Sequence, residues 1–223
     1  MDEPSIQVQN NKPQKLVNSE WIHIAVSLFD YTGNMLKPWL HAGYECHIFD
    51  IQHPTGYSVR SDGMHCYGID LKNTDDFLQL FARTDGIAFA SMFPPCTALA
   101  CSGARWFKGK GLRALQESIA FFATSVEVAE RLGCPYMIEN PMSTISTYWR
   151  EPDHKFHPCH YSGYVDDEEN YTKETWLWAG GPEGREFVMP PRKMAGDLFD
   201  MPDRNYIHHQ PPGEERANIR SAT

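Results

Sequence analysis

The chain has 223 residues, a formal net charge of −9, 41% hydrophobic and 22% charged residues. That length holds one well-buried domain, and the composition excludes a disordered or fibrous chain. The acidic balance excludes a generally basic nucleic-acid coat while leaving room for a local basic groove. No apolar run approaches the ~20 residues of a membrane span, and Met1-Asp2-Glu3-Pro4 lacks the build of a signal peptide, so a cytoplasmic protein is expected. The six cysteines form no CxxC pair, which favours reduced thiols.

In chain order, residues 1–20 are polar and aperiodic and read as a flexible lead-in. Residues 21–29 have strand composition and end in Asp30-Tyr31-Thr32-Gly33-Asn34, after which Met35, Leu36, Trp39 and Leu40 fit an amphipathic helix. This is a strand, a tight turn and a helix. Gly33 either permits a cofactor to approach the backbone there or simply serves the turn. Residues 43–49 read as a second strand ending at Asp50, an acid placed either to accept from ribose hydroxyls or to make the turn through Pro54 and Gly56. A third strand-like stretch, 65–71, carries Asp70, which either meets the adenine end of a cofactor or caps a helix opening at Asp75-Asp76.

The strand at 86–90 then delivers Phe93-Pro94-Pro95-Cys96. Two prolines fix φ and remove two backbone donors, so the strand stops and the thiol is presented in one direction, unless Cys96 is only a small buried hydrophobe. A Gly-rich basic segment follows through Gly111, read either as a mobile loop closing over a nucleic-acid strand or as plain solvated loop. Residues 112–132 have helical spacing with Gly133 as a stop. Residues 134–138 form a further strand ending in Glu139-Asn140-Pro141, a carboxylate at a strand end like the thiol before it. Beyond Trp149 the chain reads as irregular. His154, His157, Cys159 and His160 match no common zinc spacing, so no metal is expected. Residues 171–178 are the last clear strand, and 181–223 form an irregular Pro-rich segment packed on or trailing from the domain.

Gly33 in its turn, Asp50, Pro94-Pro95-Cys96 and Glu139-Asn140, in this order, resemble the motifs of the cytosine carbon-5 DNA methyltransferases, most closely short phage and prophage versions. The resemblance spans roughly residues 22–180. It implies an α/β, Rossmann-like S-adenosylmethionine-dependent methyltransferase fold, mostly parallel with helices on both faces, and a catalytic domain over 21–180. It implies Cys96 as the nucleophile adding to cytosine carbon 6, Glu139 as the carboxyl on ring nitrogen 3 and the exocyclic amine, and Asn140 shaping the strand end. S-adenosyl-L-methionine would be held by Phe29, Asp30, Thr32, Gly33, Asn34, Asp50, Ile51, Asp70, Leu71 and Pro94. DNA, as a duplex with a flipped cytosine or as a single strand, would meet Ser102, Arg105, Trp106, Lys108, Lys110 and Arg113.

Three departures accompany the resemblance. Where the family carries Gln-x-Arg-x-Arg, this chain has Tyr171, Lys173 and Thr175, so Lys173 stands in for a guanidinium without its fork. Residues after Glu139 leave no room for a large target-recognition domain, which implies short or relaxed sequence selectivity. The Asn-containing C-terminal motif of longer members is not found. A free cytosine nucleotide as substrate, or a module of a phage modification or anti-restriction system that binds cofactor or DNA without turnover, are the alternatives.

Overall fold

The computed structural model describes residues 23–72, 77, 86–101, 107–164 and 172–195. Its strands are β1 (Ile24–Leu28), β2 (Glu45–Phe49), β3 (Gly56–Val59), β4 (His65–Gly68), β5 (Ile87–Met92), β6 (Tyr136–Pro141), β7 (His154–Phe156) and β8 (Thr175–Gly180). They form one eight-stranded sheet in the order β3-β4-β2-β1-β5-β6-β8-β7. The five strands from β4 to β6 run parallel, β8 is antiparallel to both its neighbours, and β3 closes the far edge as an antiparallel partner of β4. The chain is therefore a mixed α/β protein with a mostly parallel sheet, as its sequence predicts.

Central strands in such a sheet are buried on both faces, and β1 is buried at every residue. Val26 and Leu28 face one core and Ala25 the other, as the two-residue strand period requires. Helix α1 (Lys37–His41), entered through a 3-10 turn at Asn34–Leu36, covers the Ala25 face, where Trp39 stacks on Phe89 with ring centroids 4.9 Å apart. Helix α2 (Phe107–Leu132) covers the other face, its Phe122 edge-on to Trp178 at 5.0 Å. Apolar side chains on both faces thus supply the burial that stabilises the sheet. Among the described residues no helix is long and apolar enough to cross a membrane.

Several elements differ from the sequence expectation. The helix expected from 112 begins earlier, because a helical turn at 107–110 precedes a break at Gly111, whose φ of 75° no continuous helix allows. Residues 139–141 lie within β6 rather than after it, because β8 pairs with them. The stretch after Trp149 holds β7, a helix α3 (Ile145–Tyr148) lies just before it, and a 3-10 segment (Pro158–Tyr164) follows. The last strand begins at Thr175 rather than 171, and Thr175, Trp176, Leu177 and Trp178 are all buried. Residues 181–195 pack back on the body through Phe187, which donates its N–H to Gly180 and approaches Phe89, and through Lys193, which bonds the backbone of His160 and Gly163. The expected lead-in, most of the helix after Asp75, Tyr171 and residues 196–223 lie outside the described residues.

Candidate active site

Strand register brings the site together. Tyr67, Phe49, Leu28, Met92, Ile138 and Trp178 pair in one continuous row across β4, β2, β1, β5, β6 and β8. Phe29 and Asp30, Asp50, Asp70, Phe93 to Cys96, and Glu139 each follow a member of that row within four residues. They share the carboxyl edge of the parallel sheet, where ligands bind in open α/β folds. Lys173 reaches the same edge because β8 runs the other way and begins there.

Strand β5 ends as Phe93 donates its N–H to Leu28 at 3.0 Å, and a helical turn opens at Cys96, whose carbonyl accepts from Leu99 and Ala100 at 2.9 Å each. The turn is tied to β6 in two places. Buried Asn140 donates through Nδ2 to the Pro94 carbonyl at 3.1 Å. The Cys101 N–H reaches Met142 at 2.9 Å, beside a bridge between Ala100 and Ser143. Removing the first tie leaves the Pro94 carbonyl without its donor, so Asn140→Ala is expected to lower stability by about 1–3 kcal/mol. A shifted urea midpoint with unchanged slope reads this out.

The six cysteines separate by environment. Cys46, Cys66, Cys134 and Cys159 are buried, and burial raises their thiols, those of Cys46 and Cys134 to about 11. Such thiols are poor nucleophiles near neutrality. Cys96 and Cys101 are the half-buried pair, and Cys96 is the one on the loop that Asn140 holds.

Glu139 is 13% exposed at its side chain, and its Oε1 is buried with no hydrogen-bond partner among the described residues. The nearest cation is Lys173, with Nζ 3.8 Å away, an ion pair rather than a hydrogen bond. Burial pushes the Glu139 carboxyl above its ordinary range, against the opposing pull of Lys173. The Asn140 Oδ1 is likewise buried without a partner. Two unsatisfied acceptors side by side on a strand end are costly unless something arrives to bond them. Thr175 is buried, and its hydroxyl bonds the Lys173 carbonyl at 3.2 Å.

The turn after β1 is organised by Asp30. Its Oδ1 accepts from the Gly33 N–H at 2.7 Å and the Thr32 hydroxyl at 3.2 Å, and its Oδ2 accepts from Ser27 at 2.9 Å. Ser91 in turn donates to Ser27 at 3.0 Å, a buried relay across β1 and β5. Phe29 at φ 55° and Gly33 at φ 69° are both left-handed, and the Asn34 N–H bonds Thr32 Oγ1 at 3.3 Å. Asp30 therefore shapes the turn with both oxygens. Asp50 differs, since Oδ1 accepts from the Gln52 N–H at 2.7 Å and Oδ2 makes no hydrogen bond among the described residues. Ile51 beside it is 68% exposed. Asp70 bonds the Lys72 N–H at 3.1 Å, and Leu71 is buried in the core against Phe77.

The basic residues divide. Lys108, Lys110 and Arg113 are exposed at the start of α2, and Lys110 Nζ donates to the Thr97 carbonyl, one residue past Cys96. Ser102, Arg105 and Trp106 lie outside the described residues. Sequence reading missed Ser27, Ser91 and His53, which is buried against Tyr31 with Nε2 3.4 Å from the Asp30 carbonyl. It also missed Arg60, which donates to the Thr32 carbonyl at 2.8 Å while held by Asp62. Ser27 and Ser91 were visible only as polar residues inside strands that read as apolar. The His154 to His160 group does not converge, since His160 Nδ1 instead accepts from the His157 N–H at 3.3 Å.

No protein-family profile matches the chain, and no curated protein matches it. Among solved structures it is similar to a candidate DNA modification methyltransferase encoded within a prophage (E. coli), at 14% identity and a TM-score of 0.42. That similarity covers 70% of this chain and 46% of the other, so the chain spans about half the length of that protein.

Proposed function

We propose that the protein is an S-adenosylmethionine-dependent methyltransferase that methylates carbon 5 of cytosine in DNA through a covalent adduct with Cys96. The observation that carries this reading is the Asn140 tie, which joins the Cys96 loop to the strand end of Glu139, whose buried Oε1 has no hydrogen-bond partner among the described residues.

Cytosine carbon 5 is a poor nucleophile, and a thiolate adding at carbon 6 makes it electron-rich. Cys96 provides that thiolate. Electron density then gathers on the ring, and a protonated Glu139 donates to ring nitrogen 3 while its other oxygen accepts from the exocyclic amine. The raised Glu139 carboxyl suits this task, because the proton must be present when the base arrives. Lys173, 3.8 Å from Glu139, opposes the rise of the carboxyl and in this reading would donate to the base carbonyl. Solvent water takes the carbon 5 proton, and the released electron pair re-forms the 5,6 double bond as the bond from carbon 6 to the Cys96 sulfur breaks and the thiolate leaves.

S-adenosylmethionine fits the adjacent strand ends, and when bound it supplies the electrophilic methyl group. Asp50 Oδ2 would accept from ribose hydroxyls, exposed Ile51 would border the base, and the Asp30 turn would present Gly33 backbone to the cofactor. Leu71 would support that wall from the core, and Pro94, held by Asn140, would separate cofactor from cytosine. Lys108, Lys110 and Arg113 offer cations to phosphates, while the DNA-contact role of Ser102, Arg105 and Trp106 rests on the sequence resemblance alone. The net charge of −9 favours a second reading on the same chemistry, methylation of a free cytosine nucleotide.

The two readings separate in one experiment. Protein is incubated with labelled S-adenosylmethionine and duplex DNA, single-stranded DNA or a cytosine nucleotide, and products are digested to nucleosides for mass detection. Label in 5-methylcytosine from DNA is expected. Label only in the free nucleotide selects the second reading, and label in neither rejects both.

A further inference from the structure

At the opposite end of the sheet lies a second cluster with different chemistry. Glu45 and His47 are two residues apart on β2 and share a face, and His47 pairs directly with His65 on β4. One potential ligand atom from each of the three lies within 4.8 Å of the others. We propose that Glu45, His47 and His65 bind a divalent first-row transition metal ion, with zinc the best fit.

The donor set is two imidazoles and one carboxylate, which suits zinc or cobalt better than calcium or magnesium. Each imidazole has one nitrogen held by a tyrosine hydroxyl, His47 Nδ1 by Tyr67 at 3.1 Å and His65 Nδ1 by Tyr57 at 2.8 Å. That leaves Nε2 of both rings as ligand atoms and supplies the outer partners that metal-bound histidines use to fix tautomer and ring orientation. His47 Nε2 stands 2.8 Å from Glu45 Oε1, in hydrogen-bond contact, and a small opening of the pair reaches the roughly 3.4 Å edge that tetrahedral zinc with bonds of about 2.1 Å imposes. The two rings stack with centroids 4.6 Å apart, which keeps a ligand atom of each within reach of one ion.

On binding, the metal replaces the hydrogen bond between Glu45 and neutral His47, whose single ring proton is then carried on Nδ1 and donated to the Tyr67 hydroxyl. Three protein ligands leave a fourth position for water. The neighbouring Cys46 and Cys66 belong to the core on the other face and take no part. The ion would clasp the β3–β4 edge to β2, at the amino ends of β2 and β4 and away from Cys96.

The test uses the full chain after chelation, titrated with zinc chloride by calorimetry and with cobalt chloride by visible absorption. One equivalent per chain is expected, with cobalt d–d bands, no thiolate charge-transfer band and a higher melting temperature. Glu45→Gln and His65→Asn should each weaken binding at least about tenfold, and Tyr57→Phe by roughly tenfold or more through its outer contact. His157→Asn should bind as the wild type does. Zinc should also protect His65 of the wild-type protein from carbethoxylation mapped by mass spectrometry, a readout that needs no variant to fold. Absent stoichiometric binding, full binding retained in both ligand variants, or His65 unprotected at saturating zinc, overturns the proposal. None of these outcomes bears on Cys96 chemistry.

Discussion

Cys96→Ser is expected to lower cytosine methylation by roughly 10³-fold or more, the scale seen when an enzyme loses its nucleophile. A serine hydroxyl is almost isosteric but is not ionised near neutrality, so addition at carbon 6 fails while the site stays shaped. Folding should be preserved, because serine is nearly isosteric with cysteine and the loop keeps its backbone contacts through the Cys96 carbonyl, the Pro94 carbonyl and the Cys101 N–H. Methyl transfer and thermal melting measured together separate these effects. Cys101→Ser is the matched control, since its backbone rather than its side chain holds the Met142 contact, and it should retain activity.

Glu139→Gln should reduce turnover by roughly 10²–10⁴-fold, the usual contribution of a positioned acid. An amide still donates to ring nitrogen 3 and accepts from the exocyclic amine, but it has no proton to give as charge builds. DNA affinity should therefore hold within a few fold while turnover falls. The pH dependence has a defined sign. Burial raises the native Glu139 pKa above the ordinary 4.5, so the native state binds this proton more tightly than the unfolded chain. The associated stability is fully present below 4.5 and is lost as pH rises through the raised native value. Glu139→Gln should flatten that slope, and should be the more stable protein above it. Urea midpoints across pH for both proteins check this, and parallel slopes would contradict the burial argument.

Much of the parallel core was legible because its strands are short apolar runs that stop at Gly, Pro or Asp. Ile24 to Leu28 and Glu45 to Phe49 fall where composition puts them. Edge elements were not legible. β3 is exposed at all four residues, so Gly56-Tyr57-Ser58-Val59 carries no hydrophobic pattern and reads as turn. Its existence depends on pairing with β4, where a Cβ on Gly68 would meet the Pro54 carbonyl at 2.1 Å. β7 is three residues long and is a strand only because β8 lies beside it.

The candidate site was legible as residue types but not as roles. Asp30 and Asp50 look alike in sequence, each an acid closing a strand, yet one uses both oxygens in its own turn and the other keeps one available. Asn140 read as a shaper of the strand end, while its side chain is the strut to the Pro94 carbonyl. Glu45, His47 and His65 gave no motif spacing, because the third ligand comes from another strand and only register aligns it. Lys173 was legible only through the resemblance, and its 3.8 Å approach to Glu139 needs β8 to run antiparallel to β6.

Covalent capture tests the central claim most directly. A duplex containing 5-fluorocytosine is incubated with the protein and S-adenosylmethionine, because fluorine at carbon 5 blocks the final elimination and leaves the enzyme attached. The account predicts a denaturation-resistant protein–DNA adduct whose peptide mass maps to Cys96 and which Cys96→Ser does not form. Methylation of DNA cytosine with no such adduct, or an adduct mapped to another cysteine, would contradict it.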